Sequence, residues 1–281
     1  MSRAAARMLD GSGARWLLAV PALFLTVFLA VPLGVVVAQA LSDIGVSGFG
    51  DVVSNPLFTD ALRRTALLAL TVTAICWPLA VVFSLAVVLG GRVLRAALLV
   101  ALLLTFWISI LVRTYGWVLL EQGNGALDKT LHWLGLGHGS VGLLGTTAGM
   151  YPAMVHVMLP FMVLPVLAAL SDLDPAQVRA AQSLGAGPLR VLWSIVLPSV
   201  RRGSIAGATL VFILSFGFFV TPALLGGPSD LTIATLINHE FNQVFDTGTA
   251  AAMGTILIVA VLGAYVVLTR VFRLRLTLGA S

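Results

Sequence analysis

The sequence predicts an all-α, polytopic membrane protein with six membrane-spanning helices. Three observations carry this expectation: a composition too apolar for a surface facing water, six apolar runs of bilayer length, and basic residues gathered at alternate ends of those runs. Of 281 residues, 59% are hydrophobic and 10% charged, and the mean hydropathy is +1.05. Soluble domains carry about 25% charged residues, so a chain this apolar lacks the polar surface to stay dispersed in water.

A spanning helix needs about 20 predominantly apolar residues, and six segments meet that requirement in order. The first, 16–40, follows Arg3, Arg7 and Arg15, a basic lead that resembles a secretory signal, and Ala38-Gln39-Ala40 fits a small-x-small cleavage rule. Its apolar stretch exceeds the roughly 7–15 residue core of such signals, so it is read as a span. The second, 65–89, contains Pro78 and the single cysteine, Cys76. One cysteine forms neither an internal disulfide nor a metal cluster, so Cys76 reads as a small buried hydrophobe. The third, 96–120, is interrupted in its outer part by Arg113.

The fourth run, 146–170, holds Pro152, Pro160 and Pro165, and the first holds Pro21 and Pro32. Each proline removes a backbone donor, which is tolerated where neighbouring protein satisfies the freed carbonyls. This favours a packed bundle over isolated anchors. In the fifth run, 199–225, Gly203, Gly207 and Ala208 permit close helix approach. The sixth, 250–269, ends before Arg270, Arg273 and Arg275.

Charge then orients the chain. With the amino terminus in the cytoplasm, twelve basic residues fall on that side: Arg3, Arg7, Arg15, Arg92, Arg95, Arg179, Arg190, Arg201, Arg202, Arg270, Arg273 and Arg275. Arg63, Arg64, Arg113 and Lys129 remain on the other. The positive-inside rule therefore predicts both termini to be cytoplasmic. It also accounts for the net charge of +5 without nucleic acid, since no basic stripe interleaves with aromatics. The domain organisation is a tail, first span and outer loop over 1–60, a five-helix core over 61–270 with a polar loop at 171–198, and a tail over 271–281.

The sequence shows no sign of catalytic chemistry. It contains no Gly-x-x-x-x-Gly-Lys-Ser/Thr phosphate loop. Gly135-Leu136-Gly137-His138-Gly139 lacks the lysine and reads as outer loop. His132, His138, His156 and His239 do not stand at metal-ligand spacing. His156, within an apolar run, reads as a hydrogen-bonded packing histidine.

The loop between spans four and five has its own local structure. Asp174 is placed to cap a helix beginning at Pro175, with Gln177 three residues on completing a capping arrangement. A short helix over 176–184 then sets Val178, Ala181 and Leu184 on one face, and Gly185, Gly187 and Pro188 end it. A second short segment, 189–196, leads to Pro198. These residues fit equally a surface loop with local helix and a docking element that a partner approaches over Ala180 and Ala181.

In this loop Arg179-Ala180-Ala181-Gln182-Ser183-Leu184-Gly185, followed nine residues later by Ile195-Val196-Leu197-Pro198, resembles the EAA-loop signature of ABC importer permeases. The spacing matches throughout, while Arg179 stands where the family places glutamate. Three further stretches are similar to the spermidine/putrescine transport permease subfamily: Arg113-Thr114-Tyr115-Gly116-Trp117, Leu159-Pro160-Phe161-Met162-Val163-Leu164-Pro165, and Phe219-Val220-Thr221-Pro222-Ala223-Leu224-Leu225-Gly226-Gly227. Together the resemblance covers about 60–270.

The resemblance implies a type I ABC importer permease architecture in a bacterial inner membrane. Its expected partners are two ABC ATPase subunits carrying ATP and Mg2+, a second related permease forming a heterodimer, an extracytoplasmic solute-binding protein and the lipid bilayer. This chain itself would carry no cofactor. Arg179, Ala180, Ala181, Leu184, Gly185, Ile195, Leu197 and Pro198 would couple it to the ATPase, with the arginine requiring an acidic contact. The implied mechanism is alternating access driven by ATP.

Arg113, Tyr115, Trp117, Asp230 and Glu240 are the candidate pathway or outer-mouth residues. Arg113 also fits a snorkelling or structural role, and Tyr115 and Trp117 fit interfacial anchors. Asp230, Glu240 and Asp246 are placed to attract a cation from the outer side, or to serve as solvated loop charges. No carboxylate is expected deep in any span, which argues against a dedicated polyamine cage. The solute class is left open between a polyamine and an opine, amino acid or organic anion. A secondary transporter would require ionisable groups embedded in the spans, and a scaffold would not need the ordered loop.

Overall fold

A computed structural model describes residues 13–135 and 142–278. Arg3, Arg7, Leu136, Gly137, His138 and Gly139 of the sequence reading lie outside the described residues. The described chain is helical, in this order: α1 (Gly13–Leu25), α2 (Val31–Ser54), α3 (Pro56–Leu89), α4 (Arg92–Trp107), α5 (Ile110–Glu121), α6 (Ala126–Trp133) and α7 (Thr147–Ser171). There follow α8 (Pro175–Ser183), α9 (Pro188–Val191), α10 (Leu197–Ser199), α11 (Arg201–Phe216), α12 (Val220–Leu225), α13 (Ile233–His239) and α14 (Thr247–Leu278). Wide π turns join α1 to α2, α9 to α10, and α13 to the segment before α14.

Among the described residues, four helices are long and apolar enough to cross a bilayer, and the count reaches six when each of two bent pairs forms one span. The six-span expectation thus holds with two corrections. The third run is not one helix: α4 and α5 meet at a bend of 103°. Nor does the fifth run straight, because Pro188–Ser199 and Arg201–Phe216 meet at 63° and α12 is a separate helix. Hydropathy averages over a window and does not register a break of two residues.

The ends also moved. Helix α3 begins at Pro56, so Arg63 and Arg64 ride on a helix, and the expected outer loop after the first run is helical to Ser54, apart from a kink at Gly45. Gly45 has φ +65°, a left-handed conformation that glycine adopts without a steric penalty.

The chain divides into two compact units. The first comprises residues 1–55 and 237–258. In it Asp43 accepts hydrogen bonds from Gln39 Nε2 at 2.7 Å and Thr247 Oγ1 at 3.4 Å. Asp246 caps α14 by accepting the Thr249 N–H at 2.9 Å. That bond holds the Asp246 carboxyl below its ordinary value.

The second unit, 56–236 with 259–281, is built on mutual packing of α3, α7 and α11. Met150, Met154, Met158 and Met162 recur every fourth residue along α7, each at most 1% exposed. An unbranched thioether fills the irregular spaces left by three prolines in one helix. Cys76 is fully buried beside them, as expected.

Close approach of α11 to α7 is set by Gly203 and Gly207. A Cβ on Gly203 would meet the Pro165 carbonyl and stand 2.8 Å from the Ala169 Cβ, while one on Gly207 would stand 2.8 Å from the Met162 Sδ. Without a hydrophobic drive between lipid-bathed helices, such van der Waals fit is what holds them. Gly203→Val is expected to destabilise the detergent-solubilised protein by about 1–3 kcal/mol through overpacking, read as a lowered Tm. Gly254→Ala, where a Cβ meets nothing within 4 Å, should leave Tm equal or slightly higher.

Candidate functional site

Two places in the second unit concentrate polar structure. One is the loop following α7, and the other is the break between α4 and α5.

Pro175 opens α8 with its fixed φ, and the Asp174 Oδ1 accepts the Ala176 N–H at 2.8 Å. The cap therefore reaches the second helical position, and the Gln177 N–H bonds the Asp174 carbonyl at 3.0 Å instead of the side chain. At the far end the Gly185 N–H meets the Gln182 carbonyl at 2.9 Å and the Ala186 N–H meets the Ala181 carbonyl at 3.0 Å. This pair of bonds is a Schellman closure, with Gly185 at φ +83°.

The sequence placed Val178, Ala181 and Leu184 on one helix face. Val178 and Ala181 do pack on the core, but Leu184 is 89% exposed, because the left-handed turn at Gly185 swings the chain away from the helix axis. Arg179 and Ala180 are exposed, Ile195 and Leu197 are half-buried against the core, and Pro198 is exposed.

Behind α8 lies an open groove of about 530 Å³, floored by Leu85, Val88, Leu170 and Leu192 with Arg179 and Gln182 at its rim. Trp193 and Leu189 stand about 70% exposed beside it. The loop thus presents apolar side chains and an arginine on a frame closed by its own hydrogen bonds.

At the α4–α5 break the backbone leaves helical geometry at Ile108 and Ser109, which have ψ of 126° and 137°. Arg113 compensates: its Nη2 donates to the Thr105 carbonyl and, at 3.0 Å, to the Ile108 carbonyl. These bonds fit the structural role considered for Arg113. Arg95 does the same at the end of α3, where it donates to the Val87 and Val88 carbonyls at 3.0 and 3.3 Å.

Beyond the break, α5 presents a polar side chain at successive turns. Thr114 pairs with Thr221 of α12 at 3.2 Å. Trp117 donates its Nε1–H to the His156 Nδ1 at 3.1 Å, so it is anchored to α7. His156 is hydrogen-bonded, as expected, but lies on an exposed helix face rather than in the core. Tyr115 is 58% exposed.

Asp230 accepts from the Thr147 Oγ1 at 2.6 Å, at the start of α7. Glu240 is half-buried in the π turn after α13 and belongs to the other unit.

One group escaped the sequence reading. Glu121 ends α5, is 3% exposed, and neither of its oxygens has a hydrogen-bond partner among the described residues. No carboxylate was expected deep in any span, and Glu121, at the end of the third run, is a buried carboxylate that composition along the chain does not reveal. Glu121 stands one residue past the run as delimited by hydropathy, and its burial comes from α7 folding back over it.

Comparison with known proteins aligns with this geometry. A sequence profile described as "Binding-protein-dependent transport system inner membrane component" matches residues 14–276. The chain is 31% identical over 198 residues to the spermidine/putrescine transport system permease protein PotB of Escherichia coli K12, covering 70% of this chain and 72% of that one. It is 30% identical over 263 residues, 89% of each chain, to the putative 2-aminoethylphosphonate transport system permease protein PhnU of Salmonella typhimurium LT2. Among solved structures, a chain of a bacterial ABC transporter involved in alginate import superposes with TM-score 0.80 at 20% identity, covering 97% of this chain and 99% of that one. At that identity the likeness speaks to the fold, which is the expected type I importer permease architecture.

Arg113→Ala would leave the Thr105 and Ile108 carbonyls without a donor and is expected to destabilise the protein by about 1–3 kcal/mol. Arg113→Lys, with a compact ammonium instead of a planar fork, should fall between the two. Thermal unfolding of the purified variants in detergent checks both.

Proposed function

The chain belongs to the family of binding-protein-dependent transport system inner membrane components, and from that premise we propose that it is the permease subunit of an ATP-driven importer of a small cationic amine. An extracytoplasmic binding protein delivers the solute. Hydrolysis takes place on separate ATPase subunits that carry ATP and Mg2+, and a second related permease completes the pore. Both termini lie in the cytoplasm on this reading, which puts α8 on the ATPase side and the start of α7 on the delivery side.

The observation that carries the reading is the construction of the loop at α8. A force transmitted through a loop is lost if the loop deforms. Here α8 is capped at Asp174, closed at Gly185 by two backbone bonds, and seated on the core through Val178 and Ala181. A push on its exposed face, which includes Arg179, Ala180 and Leu184, therefore passes to α7 and, through Pro188–Ser199, to α11. Rigid-body tilting of these helices is the movement that alternating access requires. Arg179 calls for an acidic partner residue, because it brings a positive charge to the contact.

The amine follows from the relatives. Spermidine and putrescine, named for a permease 31% identical to this chain, are cationic primary amines, and 2-aminoethylphosphonate, named for another at 30%, carries the primary ammonium beside an anionic phosphonate.

The test is reconstitution of the chain with its ATPase, second permease and binding protein, followed by uptake from a panel of putrescine, spermidine, an amino acid, an opine and an organic anion. ATP-dependent uptake of the amines is expected. A correctly inserted chain that binds no ATPase would sink the importer reading, and uptake confined to the anion would sink the amine. Gly185→Val, which forces a β-branched residue into a left-handed turn, should strain the closure by about 1–2 kcal/mol. It should also lower the uptake obtained per ATP hydrolysed while membrane insertion persists; fully coupled uptake would remove the loop from the mechanism.

A further inference from the structure

The face of α5 that packs on the bundle has polar side chains at 114, 117 and 121, one turn apart. The first two have partners, Thr221 and His156. The third, Glu121, has none among the described residues, although it is 3% exposed. Removing an ionised carboxylate from water without a partner is strongly unfavourable, so the group requires neutralisation.

Among the described residues, no cation is paired with it. Oε2 lies 2.5 Å from the point where a Cβ on Gly149 would stand, in the first turn of α7, and the Leu143 carbonyl oxygen lies 2.5 Å from that same point. Two acceptor oxygens therefore face one Cα–H. Leu143 already accepts the Thr146 N–H at 3.1 Å and the Thr146 hydroxyl at 2.6 Å, so it brings only negative potential. Asp230, bonded to Thr147 in the same helical turn, adds a second carboxylate to this end of α7.

The oxygen cluster does not suit a metal. Calcium takes about 6–8 oxygen ligands, and no group of three His, Cys, Asp or Glu side chains is placed to hold an ion among the described residues. A primary ammonium, with three donors and one charge, matches a carboxylate flanked by carbonyl oxygen.

We propose that Glu121 is the anionic half of a primary-ammonium site, completed by the amine of the solute during transport. This rests on the reading above of the solute as a cationic amine. The site stands at the opposite end of α7 from α8, on the delivery side. In this conformation the first turn of α7 seals it. Thr114 and Trp117 tie α5 to α12 and α7, so exposure of the carboxylate requires the Glu121 end of α5 to separate from the first turn of α7.

The experiment uses the complete reconstituted transporter, with putrescine as probe and 1,4-butanediol as its uncharged counterpart. Labelling of Glu121 by dicyclohexylcarbodiimide during ATP turnover is read by mass spectrometry. Uptake is measured with saturating loaded binding protein. Putrescine, and not butanediol, is expected to protect Glu121. Glu121→Gln should lower putrescine uptake about tenfold, the worth of one charge-assisted hydrogen bond, and Glu121→Asp should restore part of it.

Uptake unchanged in Glu121→Gln, with labelling unaffected by putrescine, overturns the site and leaves the amine reading standing. Absence of labelling under turnover also overturns it, since the solute then has no access. If the wild-type complex moves no amine, the solute reading fails separately; protection by putrescine would still support the ammonium site, and lack of protection would overturn it. Should Glu121→Gln fail to assemble with the ATPase, wild-type labelling alone decides.

Discussion

In hydrocarbon, each backbone N–H and C=O must find its partner within the protein, because no water is there to take its place. Much of the irregular structure in this chain answers that constraint. Arg95 and Arg113 each fold back onto two carbonyls at a helix end. A guanidinium suits this use because its fork of donors reaches two acceptors at once. At the break between α4 and α5 it is Arg113 that satisfies the exposed carbonyls. The break in turn lets α5 leave the direction of α4 and pack its polar face on α7 and α12.

The same constraint shapes α7. Three prolines withdraw three donors from one helix, yet it continues unbroken for 25 residues. Its packing is supplied by four methionines on one stripe and by glycines on α11 that admit the backbone to close range. This buried helix connects the two polar regions of the second unit, with Glu121 and Asp230 beside its first turn and α8 just beyond its last. On the proposed reading this helix is the strut between the loop that receives force and the place that meets solute.

Much of the loop was legible from residue order. Asp174, Pro175 and Gly185 act through backbone geometry within a few residues of themselves, so cap, first turn and closure could be read directly. Even so, the cap took the Ala176 N–H, and Leu184 left the packed face. Helical periodicity places a side chain on a face only while the helix lasts, and α8 ends at Ser183.

The sequence by itself determined membrane residence, the number of apolar runs, the family resemblance and the construction of the loop. Each of these depends on composition or on contacts local in the chain. Only the tertiary structure decided that runs three and five are bent, that Arg113 serves backbone carbonyls, that Trp117 reaches His156 across 39 positions, and that Glu121 is enclosed. The reason is common to all four. A break, a hydrogen bond between helices and a buried charge are properties of which helix packs on which, and hydropathy sums residues along the chain without knowing what lies across from them.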